Sequence, residues 1–343
     1  MSPPAAFSGW LHGLSDGSFL AVRGGFLVRI APDGALTQLS RIPNGLLDVM
    51  VVSRDESHVL AIVTPPDVST TRAVVVALDK PDPVASFVLP ESRSLQGGAI
   101  DRHGARVALG GFIGFGVYDT RTGASICESE ETGIFNGVFV DTLGAYKDVV
   151  VSTRVGGHAV IDAKTCAVLA FDGSDTGGTG VSTVSPDGTL VATGVSGGHH
   201  LELKRTDPFD AGRLFAKYEC PDHVAPTWNR DGTRLLDMGI DGRFLSSFDA
   251  KTGRRIAFWR LPAEKLAAVM FDDGRRAAVL YADRVEVVDA ARKRVTCKTP
   301  LEPKTLDTLG VAVSPDQATV AVSLGGRVTV LDADTCVVRF AKE

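Results

Sequence analysis

A tight-turn signature, Asp-Gly in its fullest form, recurs eight times between short apolar runs. It reads Ser15-Asp16-Gly17, Arg54-Asp55-Glu56, Arg102-His103-Gly104, Thr142-Leu143-Gly144, Pro186-Asp187-Gly188, Arg230-Asp231-Gly232, Asp272-Asp273-Gly274 and Pro315-Asp316-Gln317, with copies 39 to 48 residues apart. A second marker, an apolar residue followed by Asp, keeps the same period: Leu78-Asp79, Tyr118-Asp119, Ile161-Asp162, Phe248-Asp249, Val288-Asp289 and Leu331-Asp332. The one double interval falls around Lys204-Arg205-Thr206, where a copy is missing, and the first repeat departs with Ala31-Pro32-Asp33-Gly34. Two markers in phase over the whole length make the chain a repeat protein, and an internal period is the first constraint on any fold.

Each repeat reads as four short strands. In the last copy they are Gly310–Ser314, Thr319–Ser323, Val328–Leu331 and Cys336–Phe340, separated by the Pro-Asp turn, by Gly325-Gly326 and by Asp332. β-Branched enrichment with turn punctuation is a strand signal, and no helical period of comparable length competes with it. Asp332 and its equivalents can accept a hydrogen bond from a backbone amide two residues on, and Asp-Gly supplies the positive φ of a tight hairpin. Four strands every 40 to 45 residues predict an all-β chain, a single β-propeller over residues 1–343. The blades fall at about 8–43, 48–90, 97–130, 136–174, 181–220, 224–262, 266–300 and 309–343. Stacking neighbours buries what one blade leaves exposed, and closing the ring removes most edges. Eight blades are expected; seven is the alternative, with the first or second copy outside the ring.

Val181-Ser182-Thr183-Val184-Ser185-Pro186-Asp187-Gly188-Thr189-Leu190-Val191-Ala192-Thr193-Gly194 and Val311-Ala312-Val313-Ser314-Pro315-Asp316 resemble WD40 repeats. They equally resemble YVTN-like, quinoprotein-dehydrogenase-like propeller repeats. The apolar-Asp marker sits where WD40 repeats place Trp-Asp, but no copy here has the Trp, and the Gly-His that opens many WD40 repeats is missing. The resemblance spans nearly the whole chain. It is specific for the fold and does not select a subfamily.

Composition narrows the function classes. Apolar residues make up 44% and charged residues 22%, as in an ordinary soluble globular protein. A net charge of −5 argues against a dedicated nucleic-acid binder. No apolar run is long enough to cross a bilayer, so no membrane association is expected. Met1-Ser2-Pro3-Pro4-Ala5 lacks a basic n-region and an apolar h-region, so a cytoplasmic protein is expected. Cys127, Cys166, Cys220, Cys297 and Cys336 are odd in number and cannot all pair. In a reducing cytoplasm Cys166 and Cys336, each opening an apolar segment in equivalent repeats, read as small buried hydrophobes without redox function.

Local catalytic motifs do not hold up. Gly194-Val195-Ser196-Gly197-Gly198 with His199 matches the serine-hydrolase elbow, but it lies in a hairpin turn where that mechanism needs a strand-to-helix turn. Gly13-Leu14-Ser15-Asp16-Gly17 matches equally well, which shows how cheap the pattern is in a chain with 37 glycines. Cys220-Pro221-Asp222-His223 is a lone pair without the second pair a structural zinc needs. His199 and His200 point to opposite faces of a strand. Asp172-Gly173-Ser174-Asp175-Thr176-Gly177 lacks the later glutamate of a calcium loop, since position 183 is Thr183. No P-loop, dinucleotide fingerprint or Asp-box is met. No catalytic residue, metal or cofactor is therefore assigned.

Surface features remain. Residues 251–300 hold twelve Lys and Arg against six Asp and Glu, a local +6 that leaves −11 on the rest. Lys251, Arg254, Arg255, Arg275, Arg276, Arg292, Lys293 and Arg294 cluster at turns that the repeat places on the bottom of two adjacent blades. Such a patch suits an acidic protein partner or a phosphate-bearing ligand, or it is a solvated rim. The longest connection of the top face carries Pro65, Pro66 and Asp67. Phe135 follows the acidic run Glu128-Ser129-Glu130-Glu131 and is a candidate interface anchor. The expected function is a non-catalytic propeller that acts as a protein–protein interaction scaffold or subunit of a complex. The alternative is a quinoprotein- or lactonase-like propeller enzyme or ligand-binding protein, its site at the top of the central channel, where several blades contribute and no local motif need exist.

Overall fold

The computed structural model describes residues 7–43, 46–64, 71–88, 95–111, 114–130, 136–154, 157–173, 182–195, 200–206, 214–219, 226–237, 244–302, 305 and 308–343. Among these residues every regular element is a strand. Thirty-two strands form eight antiparallel blades of four, paired in chain order, so the chain is an eight-bladed β-propeller.

Blade 1 is Phe7–Gly13, Phe19–Arg23, Phe26–Ile30 and Leu36–Arg41 (β1 to β4). Blade 2 is Leu46–Val52, His58–Thr64, Arg72–Ala77 and Pro83–Val88 (β5 to β8). Blade 3 is Leu95–Ile100, Arg106–Gly111, Phe115–Asp119 and Ser125–Ser129 (β9 to β12). Blade 4 is Asn136–Leu143, Tyr146–Arg154, Gly157–Asp162 and Val168–Gly173 (β13 to β16). Blade 5 is Ser182–Val184, Leu190–Val195, His200–Arg205 and Leu214–Glu219 (β17 to β20). Blade 6 is Pro226–Trp228, Arg234–Asp237, Phe244–Asp249 and Arg255–Arg260 (β21 to β24). Blade 7 is Ala267–Met270, Arg276–Leu280, Arg284–Asp289 and Arg294–Pro300 (β25 to β28). Blade 8 is Gly310–Val313, Thr319–Leu324, Arg327–Asp332 and Val338–Lys342 (β29 to β32).

Burial explains the hydrophobic pattern. The second and third strands of a blade are covered on both faces, so β6 and β7 read as nearly unbroken apolar runs and are buried over Val59–Val63 and Ala73–Ala77. The fourth strand has one free edge and alternates. Its outward positions carry exposed apolar residues, among them Val88, Ile126, Phe171, Val295 and Val338.

The two sequence markers are hydrogen-bonded turns. In the first, a buried polar side chain serves as hub: Ser314 Oγ donates to Asp316 Oδ1 at 2.5 Å and accepts from the Thr319 amide at 2.9 Å. Ser53, Ser185 and Asn229 play the same part, accepting from His58, Leu190 and Arg234 at 2.9, 2.9 and 2.8 Å. The following position takes positive φ, 74° at Gly188 and 59° at Gln317, which is why glycine dominates there. In the second marker, Asp162 Oδ1 accepts from the Lys164 amide (2.9 Å), the Thr165 amide (2.7 Å) and the Thr165 hydroxyl (2.9 Å). Asp119, Asp249 and Asp332 likewise accept from the hydroxyl of the Thr three residues on. The WD40 Trp position is filled by buried Tyr118, Ile161, Phe248, Val288 and Leu331. The missing copy is a substitution, because Arg205 takes the Asp position opposite Leu190 while Thr206 still donates to the Gly188 carbonyl.

The chain divides into two compact units, Met1–Leu39 with Asn229–Glu343, and Ser40–Trp228. In the first, Leu245 and Ala257 pack against Met270, Ala277 and Val279, Leu280 and Val285 against Val320 and Val322, and Val328 and Val330 against Phe19, Ala21 and Ile30. The N-terminal blade is thereby seated on the C-terminal one. In the second unit, Leu60, Ile62 and Val75 pack against Val107 and Leu109, and Phe115 and Val117 against Val150 and Ile161. Blades 3 and 4 also share one parallel bridge, Gly98 to Asn136.

The cysteines correct the sequence reading. Cys127 is bonded to Cys166 and Cys297 to Cys336, each pair with Cα atoms 5.6 Å apart and 39 residues apart in sequence. Cys166 and Cys336 are buried, as expected, but as disulfide partners. Cys336 also lies outside the fourth strand: β32 begins at Val338, and Cys336 sits in the preceding turn at φ 57°. Each pair joins two successive repeats, so only the stacking of blades brings the sulfurs together.

Candidate interaction surface

The eight basic residues lie on blades 6 and 7, within one compact unit. Lys251 and Arg254 occupy the turn between β23 and β24, which Asp249 organises by accepting from the Lys251 amide at 3.1 Å and the Thr252 amide at 2.9 Å. Arg292 and Lys293 occupy the equivalent turn of blade 7, where Asp289 accepts from the Arg292 amide at 2.9 Å, and Arg294 opens β28 directly after it. Arg275 lies beside that turn, its carbonyl accepting from the Ala290 amide at 2.7 Å. The two blades are tied together on this face: Asn229 Nδ2 donates to the Asp272 carbonyl at 3.2 Å, the Arg230 amide donates to Asp272 Oδ1 at 3.2 Å, and Ser247 Oγ donates to the Gly274 carbonyl. These hydrogen bonds fix the turns that carry or border Lys251, Arg254, Arg275, Arg292 and Lys293.

The residues do not all have the same role. Arg276 is built into the fold. Its guanidinium bonds Asp273 at 3.1 Å and Asp334 of blade 8 at 3.0 Å, and lies 4.4 Å from the Phe271 ring centroid. Arg255 lies over Phe258, 5.0 Å from its centroid, and Arg292 is 3.6 Å from Asp289. The side chains of Lys251, Arg254, Arg275, Lys293 and Arg294 are exposed and make no ion pair among the described residues.

The neighbouring carboxylates are already engaged. Asp273 accepts from the amides of Arg275 (2.7 Å) and Arg276 (3.0 Å) as well as from the Arg276 side chain. Asp249 is bonded by Thr252 and by Arg234 at 2.9 Å. The Thr252 amide and hydroxyl, helped by Arg234, hold the Asp249 carboxyl below its ordinary range against the opposing effect of burial. Both carboxylates are engaged by the amides of their own turns. Five cations are left pointing to solvent with no acid of their own among the described residues.

Other candidates fall differently. Pro65, Pro66, Asp67 and Phe135 lie outside the described residues, as do Ser196 to His199 of the elbow-like stretch and Cys220 to His223. No group of three or more His, Cys, Asp or Glu suited to a metal occurs among the described residues. No helix of the described residues is long and apolar enough to cross a membrane. What sequence reading missed is the division within the basic cluster. Arg276 is distinguished from Arg275 only by its partners, one of them in a neighbouring blade.

No family model matches the chain, and no curated protein matches it. Solved structures do. The C-terminal WD40 domain of Sif2 superposes with a TM-score of 0.68 at 12% identity, covering 94% of each chain. The β-propeller domain of Cps50 (Swd1) from Myceliophteria thermophila gives 0.60 at 10% identity, over 84% of this chain and 96% of that one. A chain of the mitotic checkpoint complex gives 0.56 at 12% identity, over 81% and 84%. At this identity the likeness is one of fold, that of the WD40 β-propellers.

Proposed function

We propose that this propeller is a non-catalytic interaction module, and that the exposed cations of blades 6 and 7 receive an acidic segment of a protein partner. The observation that carries the reading is the set of five cations, unpaired among the described residues, beside carboxylates consumed by their own turns. A folded surface with that imbalance raises the local concentration of an acidic partner and fixes its register. An extended acidic peptide fits best, because the cations are carried at or beside successive turns of two adjacent blades. That one similar propeller belongs to a mitotic checkpoint complex supports a role within an assembly.

The test uses a fluorescein-labelled peptide of alternating Asp and Glu, titrated by anisotropy at low and physiological salt. The wild-type protein is expected to bind, with affinity falling as salt rises. The triple variant Arg254→Glu, Arg275→Glu, Arg294→Glu is expected to lose roughly tenfold or more in affinity with an unchanged circular dichroism spectrum. Equal binding by the folded triple variant overturns the assignment of this face.

A further inference from the structure

The two disulfides occupy the same place in the repeat. Cys127 of β12 and Cys297 of β28 lie opposite Val117 and Val287 in their blades. Each reaches the turn between the third and fourth strands of the next blade, at Cys166 and Cys336. At the equivalent of Cys127 and Cys297, opposite the corresponding third-strand residue, stand Ala85, Ala170, Ala257 and Phe340. At the equivalent of Cys166 and Cys336, blades 3 and 6 carry Gly123 and Gly253, with φ 71° and 72°. Cysteine thus replaces an alanine and a turn residue together, twice, in partners that face each other.

The turn position makes this more than coincidence of packing. Cys166 and Cys336 have φ of 59° and 57°, a left-handed conformation that disfavours any residue with a Cβ. Glycine adopts it without that cost in blades 3 and 6, while blade 7 places Lys293 there at φ 56°. Cys127 and Cys297 pack on the turns they are bonded to, their sulfurs 3.8 Å from the Ala163 carbonyl and 4.0 Å from the Ala333 carbonyl, and the left-handed turn position carries a conformational cost. A covalent bond to the neighbouring blade offsets that cost, by restricting the unfolded chain. Cys166 is 3% and Cys336 4% exposed, and their partners Cys127 and Cys297 are half-buried, so each bond is a staple between blades.

We propose that the working protein carries Cys127–Cys166 and Cys297–Cys336 as permanent inter-blade disulfides, and that it folds and acts in a non-reducing compartment in place of the reducing cytoplasm expected from the sequence. Each bond forms by thiol–disulfide exchange. One cysteine, as thiolate, attacks a small-molecule or oxidoreductase disulfide and expels one thiol. The second cysteine then resolves the mixed disulfide and expels the other. The two protein sulfurs lose two electrons and two protons, and the oxidant disulfide leaves as two thiols.

The test counts thiols on protein quenched in acid directly from its source cells, unfolded, and alkylated with N-ethylmaleimide before and after reduction. One adduct before reduction, on Cys220, and five after it are expected, with tryptic peptides linking Cys127 to Cys166 and Cys297 to Cys336. Five adducts before reduction, or linkage of other cysteines, overturn the proposal. Melting of the purified protein supplies a second readout. Dithiothreitol is expected to lower the Tm of oxidised wild type by roughly 5–10 °C. It should leave unchanged the variant Cys127→Ala, Cys166→Gly, Cys297→Ala, Cys336→Gly, whose substitutions copy the other blades. Should that variant fail to fold, the adduct count on native protein still decides.

Discussion

The ring of Phe340, in the last strand, lies over the Cα of Gly34, in the turn before β4: a Cβ built on Gly34 would stand 2.8 Å from Phe340 Cγ. Phe340 lies opposite Val330, as Cys127 lies opposite Val117. The slot that holds a disulfide between blades 7 and 8 therefore holds an aromatic ring against a glycine between blades 8 and 1. Gly34 has φ 84°, so Ala there is strained twice, by conformation and by contact. Gly34→Ala is expected to cost about 1–3 kcal/mol. In Phe340→Ala the same change should cost less, since the contact is gone and only the conformational strain remains. A urea-denaturation cycle measures the coupling, and strictly additive costs would show that the ring and the glycine do not interact.

Which parts of this were legible in the sequence follows from where each interaction closes. The turn around Ser314, Asp316 and Thr319 bonds within six residues, so its pattern survives in a linear reading and fixes the blade period. The same holds for Asp162 and Thr165. Contacts that close between blades leave no such trace. Arg276 and Asp334 are 58 residues apart, and each disulfide spans 39. An even division of four cysteines into two facing pairs becomes visible only when successive repeats are laid over one another and their equivalent positions compared. The basic cluster was legible as charge, but its sorting into structural and exposed cations needed the partners of each guanidinium.

The hub of the first turn is the next point to probe. Ser314 is 1% exposed, and its hydroxyl both donates to Asp316 and accepts the Thr319 amide. Ser314→Ala leaves that amide without its acceptor in a buried turn, for an expected loss of about 1–3 kcal/mol. Ser314→Asn, which copies Asn229 of blade 6, should restore most of it, because Asn229 Oδ1 accepts the equivalent Arg234 amide at 2.8 Å. Chemical denaturation of the pair distinguishes a lost acceptor from a merely altered volume. If Asn were as damaging as Ala, the hydrogen bond would not be what the turn requires.

Acid should unfold the propeller through its turn carboxylates. Arg339, with the Thr335 amide and hydroxyl, holds the Asp332 carboxyl down at about 2 against a small opposing effect of burial. In Asp316 the Ser314 hydroxyl and the Ala318 amide also lower it. A carboxyl depressed in the folded state binds its proton more readily when unfolded. Its stabilisation is therefore complete above the unfolded value of about 3.9 and is lost as pH falls from there toward the folded value. The Tm is expected to be nearly flat from neutral pH to about 5 and to fall steeply below about 4. Asp332→Asn keeps an acceptor for the turn amides but no charge for Arg339. It should lower the Tm at pH 7 and flatten the acid limb, and an unchanged acid limb would assign the transition to other groups.

Arg275 and Arg276 are adjacent in sequence and should behave oppositely. Arg276 connects Asp273, Asp334 and the face of Phe271. Its ion pair with Asp334 is largely solvent-exposed and contributes little, whereas the contact with the buried Phe271 ring and the Asp273 bond add to it. Arg276→Ala is therefore expected to cost about 1–2 kcal/mol in urea denaturation. Arg275 makes no side-chain ion pair among the described residues, so Arg275→Ala should change stability by less than about 0.5 kcal/mol. In the acidic-peptide titration the order reverses. Arg275→Glu should weaken binding, most of all at low salt, while Arg276→Ala at a temperature where it remains folded should bind nearly as wild type. If both variants lost stability and binding together, the exposed cations of blades 6 and 7 would be part of the scaffold and not a surface set apart for a partner.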